Sequence, residues 1–410
     1  MSLVTVAHKK NTSIVMAKFN KKVYLGLFLA NILEHYIFVL YPLLMPYIKA
    51  NFFNDSNEVI AFLLFALGYA LRPVSGIVFG MLSDKYSRNT IALIILPISG
   101  AMGIIISILP VTLFGAFGLA FARLIHGFSH SGFMPIALTY ILEQAKKDSF
   151  SVGLLYSGAA IGSILANGTT LFLEFILPNE SMYSYGWRLP YIGALFLVII
   201  SFYLKNKIPE ISRSSKSDSY KNIFVHLKKK SSSLFAAFLM SLPASSMVMI
   251  SLSFPSSLTQ HFGFDHFQSM SYSFLGSVFY GCIIIIAGYY ARSKHKQYLF
   301  GLFSVILTGF LFMHLSKNYA LIGLLFIRFN LAIIGVVYTI YISRQFSEAV
   351  RNTALGFSYS TAFFMSSLLP SALHYSNNYL FDIGKILFIS ATLGLIGYVY
   401  LSSFKKSSLV

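Results

Sequence analysis

The chain is poor in charge. Only 11% of its 410 residues are Asp, Glu, Lys or Arg, while 56% are hydrophobic. A soluble domain carries roughly 25% charged residues, so too little polar surface exists to solvate a protein of this size in water. Cysteine is also scarce. The single Cys282 excludes a disulfide framework within the chain and any metal cluster built from thiolates. No His, Asp and Glu cluster has metal-ligand spacing, and no phosphate-binding loop is present. Those absences argue against an integral-membrane enzyme. Strand alternation of the kind a porin-like barrel needs is missing too.

What remains is a series of long apolar runs. A helix needs about 20 apolar residues to cross a bilayer, and a chain of this length accommodates about twelve such helices with short loops. The expected spans are 23–48, 58–82, 90–111, 113–136, 153–177, 188–204, 234–258, 267–290, 298–315, 319–343, 353–375 and 384–404. Backbone groups cannot go unpaired in lipid, so these segments must be helices. The first run, from Val23 to Ile48, is longer than a signal-peptide core and has no small-residue cleavage site after it. It is expected to stay as the first membrane helix.

The net charge of +18 is explained by its placement. A nucleic-acid-binding surface gathers its basic residues on one folded face. Here they fill alternate gaps between apolar runs: Lys9, Lys10, Lys18, Lys21 and Lys22, then Lys85 and Arg88, then Lys146 and Lys147. The series continues with the Lys-rich and Ser-rich stretch 205–233, with Arg292, Lys294 and Lys296, with Arg344 and Arg351, and with Lys405 and Lys406. The other gaps keep Lys49, Lys317 and Lys385, with Arg188 at a boundary. By the positive-inside rule both termini are expected in the cytoplasm, and no nucleic-acid partner is expected.

The stretch 205–233 divides the spans six and six. The expected organisation is a cytoplasmic N-terminus (1–22), a first six-helix bundle (23–204), a cytoplasmic linker (205–233), a second six-helix bundle (234–404) and a short tail (405–410). A shift of 205 residues carries Arg123 onto Arg328 and Glu143 onto Glu348. Duplicated six-helix units of this kind place a substrate site between the halves near the bilayer midplane.

The second loop reads Gly80-Met81-Leu82-Ser83-Asp84-Lys85-Tyr86-Ser87-Arg88. It resembles the loop signature of the major facilitator superfamily. Arg72-Pro73-Val74 with Gly76, Phe79 and Gly80 resembles the second helix of its metabolite:proton symporter branch, which includes proline/betaine transporters. Ala30-Asn31-Ile32-Leu33-Glu34, Arg123-Leu124-Ile125-His126-Gly127-Phe128-Ser129 and Gly186-Trp187-Arg188-Leu189-Pro190-Tyr191 are similar to further motifs of that branch. So is Ala349-Val350-Arg351 followed by Tyr359 and Pro370. The resemblance implies an all-α membrane protein with twelve transmembrane helices in two pseudo-symmetric six-helix bundles. It also implies secondary transport in a bacterial inner membrane. The chain departs from the branch pattern at Ile37 and Phe133, where carboxylates are usual, and at His126, where Gln is usual. Ser87 replaces Gly in the loop signature and Asn89 a basic residue.

Ionisable groups at mid-bilayer cost at least about 2.5–3.5 kcal/mol and so mark functional positions. Glu34, Arg72, Arg123 and Arg328 stand there, and the simplest expectation pairs Glu34 with Arg72. His126 and His130 follow Arg123 at i+3 and i+7 on one helix face, where they can answer to protons or serve as neutral helix histidines; His35 beside Glu34 is equally open. Three arginines against one glutamate favour a substrate with a carboxylate, which a guanidinium holds in a bidentate fork. Tyr36, Phe38 and Tyr41 are candidate faces for a quaternary ammonium.

The expected substrate contacts are therefore Arg72, Arg123, Arg328, Tyr36 and Tyr41, and the expected proton carriers are Glu34, His126 and His130. The expected gate is Gly80, Asp84, Lys85, Arg88 and Arg351. Gly76-x-x-x-Gly80 and Gly158-x-x-x-Gly162 are expected to serve close helix packing. The expected activity is transport of a small carboxylate-bearing metabolite or zwitterion, either proline/betaine-like or an organic acid, with proton symport. A uniporter or exchanger is the alternative, and an enzyme or a channel is more remote. No cofactor is expected. The expected partners are the substrate, protons and the lipid bilayer, with the monomer as the working unit.

Overall fold

The computed structural model describes residues 21–53, 58–86, 88–144, 148–205 and 220–407. The N-terminal residues 1–20 and most of the basic linker, 206–219, lie outside them, as does the Arg88 side chain. Among the described residues there is no strand.

Twelve crossings are formed. In the first half they are Lys21–Leu43 continued by Met45–Phe52, Glu58–Ala70 continued by Arg72–Lys85, Arg88–Ile108, Leu113–Gln144, Asp148–Ile176, and Leu189–Ile192 continued by Ala194–Lys205. In the second half they are Ser231–Phe262, His266–Tyr290, Lys294–His314, Ala320–Ser343, Arg351–Ser366 continued by Leu369–His374, and Tyr379–Ser407. Among the described residues nine helices are long and apolar enough to cross a membrane by length and composition alone, and Ile94–Ile108 adds a shorter apolar one. Spans four and eleven, outside that set, carry Arg123, His126 and His130, and Asn352 and Thr353 respectively. Polar residues dilute their hydropathy where they face protein rather than lipid. Phe114, Phe117, Phe175 and Phe196 instead lie exposed on the outer surface, where lipid is the natural solvent.

Proline sets the breaks. Pro73 lacks the N–H that would bond the carbonyl four residues back, and the second span is interrupted at Leu71. Pro370 does the same in the eleventh span. The first break puts Arg72 at the start of a new helix in mid-membrane. Gly263, at φ 72°, ends span seven. Two residues later the Asp265 carboxylate accepts from the Gln268 N–H, at 2.7 Å, to cap span eight. Helix Tyr220–Lys229 occupies part of the stretch 205–233, and span seven begins at Ser231 rather than 234.

The two halves meet mainly along two seams, span two against eleven and five against eight, with smaller contacts of five on ten, four on eleven and one on seven. An exchange of span n for span n+6 maps the first seam onto the second, five–ten onto four–eleven, and one–seven onto itself. That is the pseudo-twofold arrangement expected of duplicated halves.

Glycine permits the first seam. A Cβ at Gly356 would stand 2.7 Å from the Gly76 carbonyl oxygen and 3.2 Å from the Gly76 Cα. Backbone atoms cannot yield to it. A Cβ at Gly80 would lie 2.9 Å from the Thr353 nitrogen. Gly158 and Gly162 pack instead on span one, against Asn31 and Phe28 and against Tyr36 and His35. The two Gly-x-x-x-Gly motifs therefore serve different seams.

Overpacking a tight contact costs about 1–3 kcal/mol. Gly356→Val is expected to slow any transport cycle that needs this seam closed by about tenfold or more. The protein should still insert at wild-type levels. Uptake and membrane yield, measured on the same vesicles, check this.

Candidate functional site

A cavity lies between the halves. Helical periodicity supplies its wall. From span one come Asn31, His35 and Phe38, at i, i+4 and i+7. Span five contributes Tyr156, Ala159 and Ser163, and span ten Arg328, Leu331, Gly335 and Tyr338. Span seven adds Ala244, Val248 and Leu252, an apolar stripe. Arg72, Tyr69, His130, Tyr280, Tyr359 and Phe363 complete the polar and aromatic surface.

Arg72 is held by rings. Its guanidinium carbon lies 4.0 Å from the Tyr69 centroid, 4.5 Å from Phe38 and 5.7 Å from Phe363. Its Nε and Nη2 have no hydrogen-bond partner. Arg328 lies 5.9 Å from the Tyr280 centroid, and its Nε is likewise without a partner. The two residues are 1% and 5% exposed.

The expected Glu34–Arg72 ion pair is not formed. Glu34 turns to the other side of span one, where Ser99 Oγ donates to Glu34 Oε2 at 2.7 Å. His130 Nδ1 lies 3.2 Å from the same oxygen and His126 Nε2 lies 3.8 Å away. Glu34 Oε1 has no partner. The geometric reason is simple. Asn31, His35 and Phe38 line the cavity, and Glu34, about 100° round the helix from His35, lies at the edge of that stripe against Ser99 and His130. The His130 ring stacks on Phe38, with centroids 4.7 Å apart and an interplanar angle of 14°. One histidine thus touches both the carboxylate and the wall.

Arg123 also stands behind the wall. Its guanidinium carbon lies 4.3 Å from the Tyr41 centroid and 5.2 Å from Phe38, and Nη2 donates to the Phe65 carbonyl at 3.5 Å. Tyr36 and Tyr41 do not line the cavity either. Tyr36 donates to the Pro190 carbonyl and Tyr41 to the Ala61 carbonyl, so both tie span one to its neighbours. Of the residues expected to touch substrate, the structure brings Arg72 and Arg328 to the wall. His35 and Phe38 join them there, as does His130, expected as a proton carrier. Tyr156, Tyr280 and Tyr338 escape sequence reasoning.

The end of the bundle that carries both termini is closed by charge. The Asp84 carboxylate accepts from the backbone N–H groups of Asn352 (3.2 Å) and Thr353 (2.9 Å) and from the Thr353 hydroxyl (2.7 Å). It caps the first turn of span eleven from the opposite half, where the helix dipole favours an anion. Arg351 reaches Glu143 at 3.4 Å and donates to the Ser343 carbonyl. Asp148 of span five is shared by Lys294, at 3.0 Å, and Arg344. Thr139 donates to the Asn352 side-chain carbonyl. At the far end the contacts are fewer: His266 lies 3.1 Å from Glu174, to which Tyr47 also donates, and Phe62 meets the His374 ring.

Among the described residues no group of three or more His, Cys, Asp or Glu stands where a metal ion would bind.

Residues 24–370 match the family model of the Major Facilitator Superfamily. The chain is 33% identical over 215 residues to a putative proline/betaine transporter of Staphylococcus aureus (strain COL), which covers 50% of this chain and 46% of the relative. It is 30% identical over 192 residues to the proline/betaine transporter of Salmonella typhimurium, covering 44% and 38%. In these matches the chain spans less than half the length of the curated relatives. Among solved structures the proton:xylose symporter XylE, bound to 6-bromo-6-deoxy-D-glucose, superposes with a TM-score of 0.76 at 15% identity over 93% of this chain and 95% of that one. A D-xylose–proton symporter gives 0.70 at 16% identity. At such identities the structural likeness speaks for the fold, and the fold agrees with the family model. The chain belongs to the Major Facilitator Superfamily.

Proposed function

We propose that this protein is a secondary active transporter that moves a small carboxylate-bearing solute by alternating access, coupled to protons. The observation that carries the reading is the pair of buried arginines in the central cavity, held on aromatic faces with their N–H edges free. A guanidinium that stacks through its face keeps its fork for a carboxylate. Proline- and betaine-like zwitterions and simple organic acids all carry such a group, in keeping with the relatives' names.

The coupling follows from charge. Glu34 is the carboxylate nearest the cavity wall in this geometry, because Ile37 and Phe133 take the places of two carboxylates usual in the branch. When Glu34 is ionised, its negative charge lies beside His130 and weakens the field that the cavity offers an anion. A proton on Glu34 removes that charge, so proton and anion bind with positive coupling, and by linkage each raises the affinity for the other. Uptake should therefore rise as the outside becomes more acidic.

Residues 23–204 and 234–404 act as the two rocking halves, and the stretch 205–233 tethers them. The terminal end faces the cytoplasm of a bacterial cell, as the basic residues at that end favour. Asp84, Lys85, Arg88 and Arg351, with Gly80 as the close-contact point, form the gate there. The firm contacts at that end and the looser ones at the far end fit a state closed to the cytoplasm. The working unit is one chain in lipid.

Glu34→Gln mimics the permanently protonated state. In proteoliposomes it is expected to exchange solute at close to the wild-type rate but to lose gradient-driven accumulation. Accumulation at wild-type level would remove Glu34 from the coupling. Wild-type protein that only equilibrates its solute under an inward proton gradient would point to the uniporter or exchanger reading.

Asp84→Asn keeps one acceptor of two and loses the charge that faces the helix dipole. Caps of this kind contribute about 1 kcal/mol. The gate is therefore expected to open about fivefold more often. This can be read as faster thiol labelling of Ala244→Cys from the terminal side, in a Cys282→Ser background.

A further inference from the structure

We propose that the central cavity selects a doubly charged organic anion, with one carboxylate on Arg72 and the other on Arg328. The inference rests on the transporter reading and narrows its substrate class.

The charge inventory leads to it. The wall holds two arginines and, among the described residues that line it, no aspartate or glutamate. Behind the wall Glu34 lies on Ser99 and His130 and Arg123 on Tyr41, so neither faces the cavity. Two positive charges are therefore left facing the cavity. A single carboxylate neutralises one of them. A zwitterion neutralises none in sum and brings an ammonium beside two guanidinium groups.

The rings beside Arg72 offer a zwitterion's ammonium little room. An ammonium binds the open face of an aromatic ring. Phe38 already carries Arg72 at 4.5 Å and a stacked His130 at 4.7 Å, and Tyr69 carries Arg72 at 4.0 Å. The faces nearest Arg72 are occupied by cationic or titratable groups. By contrast Arg72 Nε and Nη2 and Arg328 Nε are buried donors without acceptors, and a carboxylate supplies what each lacks.

The two arginines also belong to different halves, Arg72 to span two and Arg328 to span ten. A ligand with a carboxylate at each end bridges the halves, and so it binds the closed arrangement better than an open one. A ligand that shifts a conformational equilibrium must have that differential affinity. A monoanion of the same length bridges nothing and is expected to promote closure poorly.

The test uses wild-type protein in proteoliposomes and labelled solutes in parallel. These are the α,ω-dicarboxylates from malonate to adipate, butyrate as a monocarboxylate, and proline and glycine betaine as zwitterions. The expected result is that one dicarboxylate is taken up with at least about tenfold higher apparent affinity than butyrate and the zwitterions, as befits an extra charge-assisted pair of hydrogen bonds. Arg328→Gln should reduce that dicarboxylate-to-butyrate ratio to within about threefold. If that variant does not insert, Arg328→Lys, which keeps the charge and loses the fork, should lower the ratio by a smaller factor. Uptake of proline, betaine or butyrate in preference to every dicarboxylate overturns the assignment and leaves the transporter reading standing. An unchanged ratio in the Arg328 variants overturns it as well. If no solute of any class enters or exchanges, both readings fall.

Discussion

A guanidinium laid flat against aromatic rings in the middle of a membrane protein is the interaction around which this structure is organised. Burying an arginine at mid-bilayer costs at least about 2.5–3.5 kcal/mol, and a desolvated cation–π contact returns about 2. The three rings around Arg72 offset much of that cost. The remaining deficit sits in unpartnered N–H groups that point at a cavity. A carboxylate on the protein would have closed that deficit and silenced the site. Instead the one nearby carboxylate, Glu34, turns away to Ser99 and His130.

The rest of the fold serves this arrangement. Pro73 breaks span two where Arg72 begins a new helix. The glycines at 76 and 356 let the halves meet backbone to backbone beside it. Asp84 then locks the same pair of spans at the terminal end, through two backbone donors and a hydroxyl that exist as a set only when the halves are closed. Spans two and eleven thus carry a cavity-lining cation and the Asp84 contact on one continuous seam.

Much of this was legible in the sequence, for identifiable reasons. The spans followed from uninterrupted apolar runs, and the family from motifs between residues 30 and 370. Asp84 and Arg351 were expected at one place from the loop motifs, and Asp84 does meet the first turn of the helix that Arg351 opens. What the sequence did not disclose was rotation about helix axes. Glu34, His35 and Tyr36 are consecutive, yet one faces Ser99, the next the cavity and the third Pro190. A step of about 100° per residue decides that, and only packing fixes its origin. Tyr36 and Tyr41 were for that reason expected at a cavity that they do not line. The i, i+4, i+7 series Asn31, His35 and Phe38 was available as a signal. In a helix apolar on every side nothing marks which stripe is inward. Arg123, expected at the substrate for its charge at mid-bilayer, stands behind the cavity wall against Tyr41.

The account stands on Arg328 being held for a ligand rather than for the fold, and the melting temperature of the empty, purified protein tests this directly. Removing one member of a satisfied buried ion pair costs about 3–5 kcal/mol, whereas removing a charge that has no partner costs little or is stabilising. Arg328→Gln is therefore predicted to melt, without ligand, at the wild-type temperature or above it. A fall of several degrees would mean that Arg328 is structural, and would contradict the claim that the substrate supplies its missing partner.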